Sequence, residues 1–325
     1  IPDNYTSYDD NRFKSATGEY AVPRLNFDNV DKLMKAAHEN GVKLRGHTLV
    51  WHQQTPKYFF QQNYKITTGQ KYNTSKECMD TRLEFYVKTV MNHVLSSEYA
   101  DCLYSYDVVN EYLHSANAEK DSKNITYWGL IYGTYDKSVK DHGVTLRPSY
   151  VKDAFKYAHE MLVKYDRLDV KLIYNDYNCY QNPENIIHLV DYINSDGKVC
   201  DGIGMQSHLD ITDSFHSATN YAKALEYFRL NCPDLEIQIT ELDATMVSTE
   251  DKPLTDEDQA AYYDQIMNAI LTNKKNGGNI TALIIWSLYD GVSWRPAKFP
   301  CLFNGLYMPK AAFYAVIDAK KQYWD

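Results

Sequence analysis

The chain has 325 residues, 44% of them hydrophobic and 24% charged, with a formal net charge of -9. That is globular composition, so disorder as the main state is excluded, and the length fits one α/β barrel of about 250 residues with long loops. An acidic balance without a long basic run argues against nucleic-acid or anionic-membrane partners, and no run of roughly 18 apolar residues is present to form a spanning helix.

In chain order, Ile1–Leu25 reads as loop, rich in Asn, Asp, Ser, Thr and Pro. Val30, Leu33, Met34 and Ala37 recur at helical spacing up to Gly41. Short apolar runs then predict strands at Val42–Trp51, Tyr104–Glu111, Lys171–Asn178, Asp201–His208, Glu236–Asp243 and Thr281–Leu288. Such runs suit parallel strands covered on both faces. Helical patterns separate them. Leu83, Val87, Val90, Met91 and Val94 line one helix. Another follows Pro148, with Val151, Ala154, Phe155, Ala158 and Leu162 inward. Further helices start after Pro183, carry Tyr221, Leu225 and Phe228, start at the N-cap Thr255 and stop near Gly277, and run from Lys310 to Tyr323. Alternating strands and helices without a linker predict a single α/β domain over residues 1–325. The six cysteines show no metal-type spacing, so buried free thiols are expected, with one or two disulfides as the alternative.

The strand runs end in polar residues of catalytic type: Trp51-His52, Asn110-Glu111, Asn175 to Asn178, Gln206 to His208, Glu241 to Asp243, and Trp286. In a (β/α)8 barrel the C-terminal strand ends build the active site. Two of these runs place a Glu there. A pair of carboxyls facing each other across a cleft is the minimum apparatus for glycoside hydrolysis: one protonates the leaving oxygen, the other attacks the anomeric carbon or activates water. The surplus of tyrosine, 29 residues and more than the leucines, suits a ligand with apolar faces and hydroxyls.

With these motifs the chain resembles glycoside hydrolase family 10, the retaining endo-β-1,4-xylanases. The matching segments are Arg45–His52, Asp107–Glu111, Tyr174–Asn178, Gly202–His208, Ile239–Asp243, and Trp286–Asp290 with Ser293-Trp294-Arg295, in family order from about Asn26 onward. The resemblance implies a (β/α)8 TIM barrel and hydrolysis of internal β-1,4-xylosidic bonds without metal or cofactor. It implies Glu111 as general acid/base and Glu241 as nucleophile. Asn110 matches the residue that bonds the sugar 2-hydroxyl. His208 matches a neighbour of the nucleophile, held by Asp243, and Gln206 a neighbour of the acid/base. His47 and Trp51 match the wall of the glycone side, Trp286 and Trp294 the aromatic lid over it, and Tyr177 a stacking residue on the leaving-group side. Two other readings stay open: a related glycosidase acting on β-glucan or cello-oligosaccharides, and a non-catalytic polysaccharide-binding barrel.

The family's Glu-Asn-X-Met-Lys motif at the end of strand two has no counterpart in Ile1–Leu25. Six of eight strands are visible, and Ile1–Leu25 resembles the loop after strand two. The first βα unit and second strand are therefore expected upstream, in a fragment of the same gene product or beyond an inserted module such as a carbohydrate-binding module. A chain beginning at Ile1 reads as a mature product or a fragment, and the resemblance implies a secreted, cell-surface or periplasmic location. Leu113–Pro148 is long for the loop after strand four, and its Tyr127, Trp128 and Tyr132 are expected to widen the leaving-group side of the cleft.

Overall fold

A computed structural model describes residues 22–65, 73–115, 126–140, 142–247 and 253–324. The chain falls into two compact units, Ile1–Tyr174 with His188–Asp201, and Asn175–Ile187 with Gly202–Asp325. Residues 1–21, which hold most of the segment read as a loop after strand two, lie outside the described residues.

In the first unit, α1 (Asp28–Glu39) starts with Asp28 and Asp31 in its first turn, where carboxylates favour the helix dipole. Met34 and Ala37 are buried. Val30 and Leu33 share the apolar periodicity but are 37% and 58% exposed, because nothing among the described residues of this unit covers that face. β1 (Leu44–Trp51) pairs in parallel with β2 (Leu103–Asn110), with His47 opposite Asp107 and Trp51 opposite Asn110. Gly46 is required in this ladder, since a Cβ there would meet the Tyr106 ring at 2.4 Å. The connection runs through α2 (Lys76–Ser96), capped by the Ser75 hydroxyl on Cys78 N, which buries Leu83, Val87, Val90, Met91 and Val94 as the periodicity requires.

Between β2 and α4 (Ser149–Lys164) lies α3 (Tyr127–Tyr132), a short helix with Thr126 as N-cap. Its Trp128 is only 2% exposed. The ring stacks on Tyr150 at 5.0 Å and meets Phe60 edge-on at 5.2 Å, so it is core and not a cleft surface. A single apolar turn inside a polar segment carries no periodicity, which is why sequence alone leaves Trp128 on a loop. β3 (Lys171–Asp176) follows α4 and leads to α5 (Pro183–Ile193).

The second unit is built on β4 (Gly202–Met205), β5 (His208–Asp210), β6 (Glu236–Thr245) and β7 (Ile280–Ile285). β6 pairs in parallel with all three others. The run Asp201–His208 is therefore two strands, not one. Ser207 sits between them at φ 65°, and its hydroxyl bonds the Met205 carbonyl at 3.1 Å and the Tyr221 hydroxyl at 2.8 Å. That left-handed residue re-aims the chain so that His208 pairs opposite Asp243. α6 (Ala218–Asn231) buries Tyr221, Leu225 and Phe228. α7 (Asp256–Lys275) opens with a capping box between Thr255 and Asp258, and α8 (Ala311–Tyr323) follows the long segment after β7.

The six barrel-type strands expected from the sequence are thus found among the described residues, with β5 as an addition. All six cysteines are free, and all but the half-buried Cys232 are buried. Among the described residues no helix is long and apolar enough to cross a membrane.

Candidate active site

In the first unit the polar groups stand at a strand end, whereas in the second Glu241 and Asp243 lie within β6 and His208 opens β5. In the first, β2 ends at Asn110, and Glu111 follows with φ 58° and ψ 33°. A non-glycine residue in the left-handed region is sparsely populated, and such residues cluster at functional sites. The backbone reversal ends the strand and opens the turn Tyr112–His114. Glu111 is 7% exposed. One carboxyl oxygen accepts the Trp51 indole N–H at 2.9 Å and the other the Asn110 amide at 3.2 Å.

Behind Trp51 lies a buried ion pair. The Asp107 carboxylate, fully buried, accepts both guanidinium arms of Arg45 and bonds His47 Nδ1 at 2.9 Å. Thr48 Oγ1 donates to the Asp107 carbonyl at 3.0 Å. A carboxylate without water is tolerable only when its lone pairs are all engaged by such donors. His47 is thereby oriented from one side of its ring, and the ring meets Trp51 edge-on at 6.2 Å.

In the second unit the centre is Glu241, on β6 and 4% exposed. Asn175 Nδ2 donates to its Oε1 at 2.9 Å, and the Asn175 carbonyl oxygen accepts from Thr240 Oγ1 at 2.7 Å. His208 bridges two carboxylates: Nε2 lies 3.1 Å from Glu241 Oε2 and Nδ1 2.9 Å from Asp243 Oδ1. Burial opposes charge on this imidazole and is the largest single influence. The hydrogen bonds to Asp243 and Glu241, with their charges, together outweigh it and push the pKa up to about 9. The ring is then a cation at neutral pH and donates to both carboxylates. Asp243 is held in turn by Trp294 Nε1 at 2.8 Å.

The aromatic residues stand close. The Trp294 ring lies 4.7 Å from the His208 ring, and Trp286 meets it edge-on at 6.1 Å. Trp294 is half exposed and carries the Arg295 guanidinium over its face at 3.8 Å. The Gln206 carbonyl accepts the Glu241 N–H at 3.0 Å, and the Gln206 N–H donates to Asp176 at 2.9 Å. Tyr177 follows β3, its N–H donating to the Asp176 side chain at 2.9 Å.

The structure therefore groups His47, Trp51, Asn110 and Glu111 in the first unit, and Gln206, His208, Glu241, Asp243, Trp286 and Trp294 in the second. Three residues outside that set belong with them. Asn175 holds Glu241, while Asp107 and Arg45 orient His47. A signal for Asp107 exists: it is a lone charge inside the apolar run Tyr104–Val109. Asn175 is visible only as part of a polar strand end.

Parallel strands alternating with helices, with acidic and aromatic residues on and beside the strands of each unit, define an α/β protein. A family model described as Glycosyl hydrolase family 10 matches residues 6–319, and the chain belongs to that family. Its fold class is accordingly the (β/α)8 barrel read from the sequence. The chain is 41% identical over 302 residues to endo-1,4-beta-xylanase A of Butyrivibrio fibrisolvens, covering 93% of this chain and 66% of that relative's length. Among solved structures, the N-terminal modules of endo-1,4-beta-D-xylanase 10B of Clostridium thermocellum, complexed with xylohexaose, align with a TM-score of 0.73 at 29% identity, covering 91% of this chain and 56% of that one. The intracellular xylanase of Thermoanaerobacterium saccharolyticum aligns with a TM-score of 0.69 at 30% identity, covering 94% of this chain and 85% of that one.

Proposed function

We propose that the chain is an endo-1,4-β-xylanase that cleaves internal xylosidic bonds with retention of configuration. The observation that carries this reading is the clamp on Glu241, which accepts from Asn175 and from a His208 cation braced by Asp243. These partners hold both carboxyl oxygens in place, as an attack on an anomeric carbon requires of its nucleophile.

In the first half-reaction Glu111, protonated, gives its proton to the leaving oxygen while Glu241 attacks, and a glycosyl-enzyme ester forms. In the second, Glu111 as carboxylate takes a proton from water, which displaces Glu241. The Trp51 and Asn110 donors on Glu111 suit its carboxylate half of the cycle. Asn110 is assigned to the sugar 2-hydroxyl, where a bond can strengthen as positive charge develops on the ring. His47, Trp51, Trp286 and Trp294 are assigned to the glycone side and Tyr177 to the leaving-group side. The partner is the polysaccharide. A location outside the membrane or at the cell surface goes with a polymeric substrate, and cell fractionation tests it against the intracellular location of the Thermoanaerobacterium neighbour.

The test is reducing-sugar release from β-1,4-xylan, followed by proton NMR of the first products. Retention predicts β-anomers before mutarotation. First-formed α-anomers would replace the double displacement with an inverting route, and no release at all would leave a polysaccharide-binding barrel.

A further inference from the structure

We propose that Trp128, together with Thr55, is a positioning residue for Glu111 and acts through Trp51. This rests on the reading of Glu111 as acid/base.

The Trp51 indole can hold Glu111 only if the Trp51 main chain is itself fixed. Trp51 is the last residue of β1, where ladder support ends. Its carbonyl oxygen takes over that support: it accepts Thr55 Oγ1 at 2.7 Å and Trp128 Nε1 at 3.2 Å. A buried indole N–H requires a partner, and here the partner is the backbone of the residue that contacts the acid/base.

Trp128 is a rigid source for that bond. Its ring stacks near Tyr150 at 5.0 Å and Tyr132 at 6.1 Å, two rings that themselves lie 4.8 Å apart, and it also meets Phe59 at 6.2 Å and Phe60 at 5.2 Å. The Phe59–Phe60 turn is pinned by the fully buried Arg82, whose guanidinium donates to the Phe59 and Gln61 carbonyls at 2.6 and 2.9 Å. A chain of ordered groups thus runs from a buried cation through an aromatic cluster to a carbonyl, an indole and a carboxylate. Each link is too tightly packed to drift independently.

A residue of the core alone would affect stability without touching Glu111. Loosening Trp51 withdraws a donor from the Glu111 carboxylate, which disfavours the charged form and raises its titration midpoint. Among the described residues of this unit, the charged and titratable groups near Trp51 include His47 and His52, whose rings meet it edge-on at 6.2 and 6.4 Å, and the Arg45–Asp107 pair that bonds His47, with Tyr86 and Tyr106 lining the same cavity. Trp128→Phe and Thr55→Val leave all of these in place.

The experiment follows the Trp51 indole N–H signal of the whole chain by NMR across pH 4–9, assigned by its loss in Trp51→Phe. In the wild type that signal moves with the Glu111 titration. In Trp128→Phe the midpoint should rise by about 0.5 pH unit, and in Thr55→Val in the same direction. The alkaline limb of kcat/KM on xylan should move by the same amount, with kcat lowered roughly 5-fold and KM little changed. A folded Trp128→Phe with an unshifted midpoint overturns the proposal, as does a wild-type Trp51 signal that does not titrate. Should Trp128→Phe not fold, Thr55→Val decides. Should the wild type release no sugar from xylan, the functional reading fails, but the NMR midpoint still decides the positioning role.

Discussion

Glu241 and Glu111 are held by different kinds of donor, and the roles proposed for them predict different behaviour of their variants. With Glu241 as the proposed nucleophile, Glu241→Ala should lower turnover by roughly four orders of magnitude on every substrate. Glu111→Ala removes proton donation, which matters little when the leaving group departs unaided. Steady-state rates on an activated aryl xylobioside and on xylan should therefore separate the two, with Glu111→Ala far more damaging on xylan. Equal losses on both substrates would reverse the assignment. His208 makes a second prediction. Its pKa is raised in the folded protein to about 9, above the usual value near 6.5, so the folded state binds the proton more tightly. The stability it contributes is complete below about pH 6.5 and disappears as pH rises through about 9. Thermal melts from pH 6 to 10 should show a decline in Tm that is smaller in His208→Asn. The two glutamates and His208 were legible because each ends an apolar run. Asn175 and Arg45 were not read as site residues, since their partners lie 66 and 62 positions away and nothing local announces them.

Elements were legible where periodicity was long. All six strands and the long helices stand within a few residues of their expected bounds, because buried β-runs and one-sided helices leave strong patterns. Short elements escaped. α3 has six residues, and the turn Lys57–Phe60 has four, too few to show a period. The break between β4 and β5 escaped for another reason: it depends on Ser207 adopting a left-handed conformation that serine does not advertise. At this scale two substitutions should differ sharply. Thr255→Ala removes the cap of α7 and should cost about 1 kcal/mol in denaturant unfolding. Arg45→Met leaves the Asp107 carboxylate buried between β1 and β2 without its bidentate partner and should cost about 3–5 kcal/mol. If Arg45→Met is as mild as the cap variant, the ion pair is not the support of this ladder.

At the scale of the whole molecule, strand edges make the remaining demand. Among the described residues β1 pairs with β2 alone, and β7 with β6 alone. β1 is half-exposed along much of its length, and Val30 and Leu33 of α1 and Val42 before β1 are open to solvent. In the second unit β7 is mostly half-exposed, and Leu306, Tyr307 and Met308, with Tyr314 and Ile317 of α8, are exposed apolar groups. Unpaired parallel edges beside apolar side chains invite further pairing, and a barrel of this class removes its edges by closing with eight strands. Charges placed on these faces test the reading: Leu33→Lys in the first unit and Ile317→Lys in the second should each lower hydrophobic-dye binding by residues 1–325 and leave Tm within about 1 °C, since both side chains are more than half exposed. If dye binding is unchanged in both variants, these apolar groups are not an open surface and the edges beside them make no further demand.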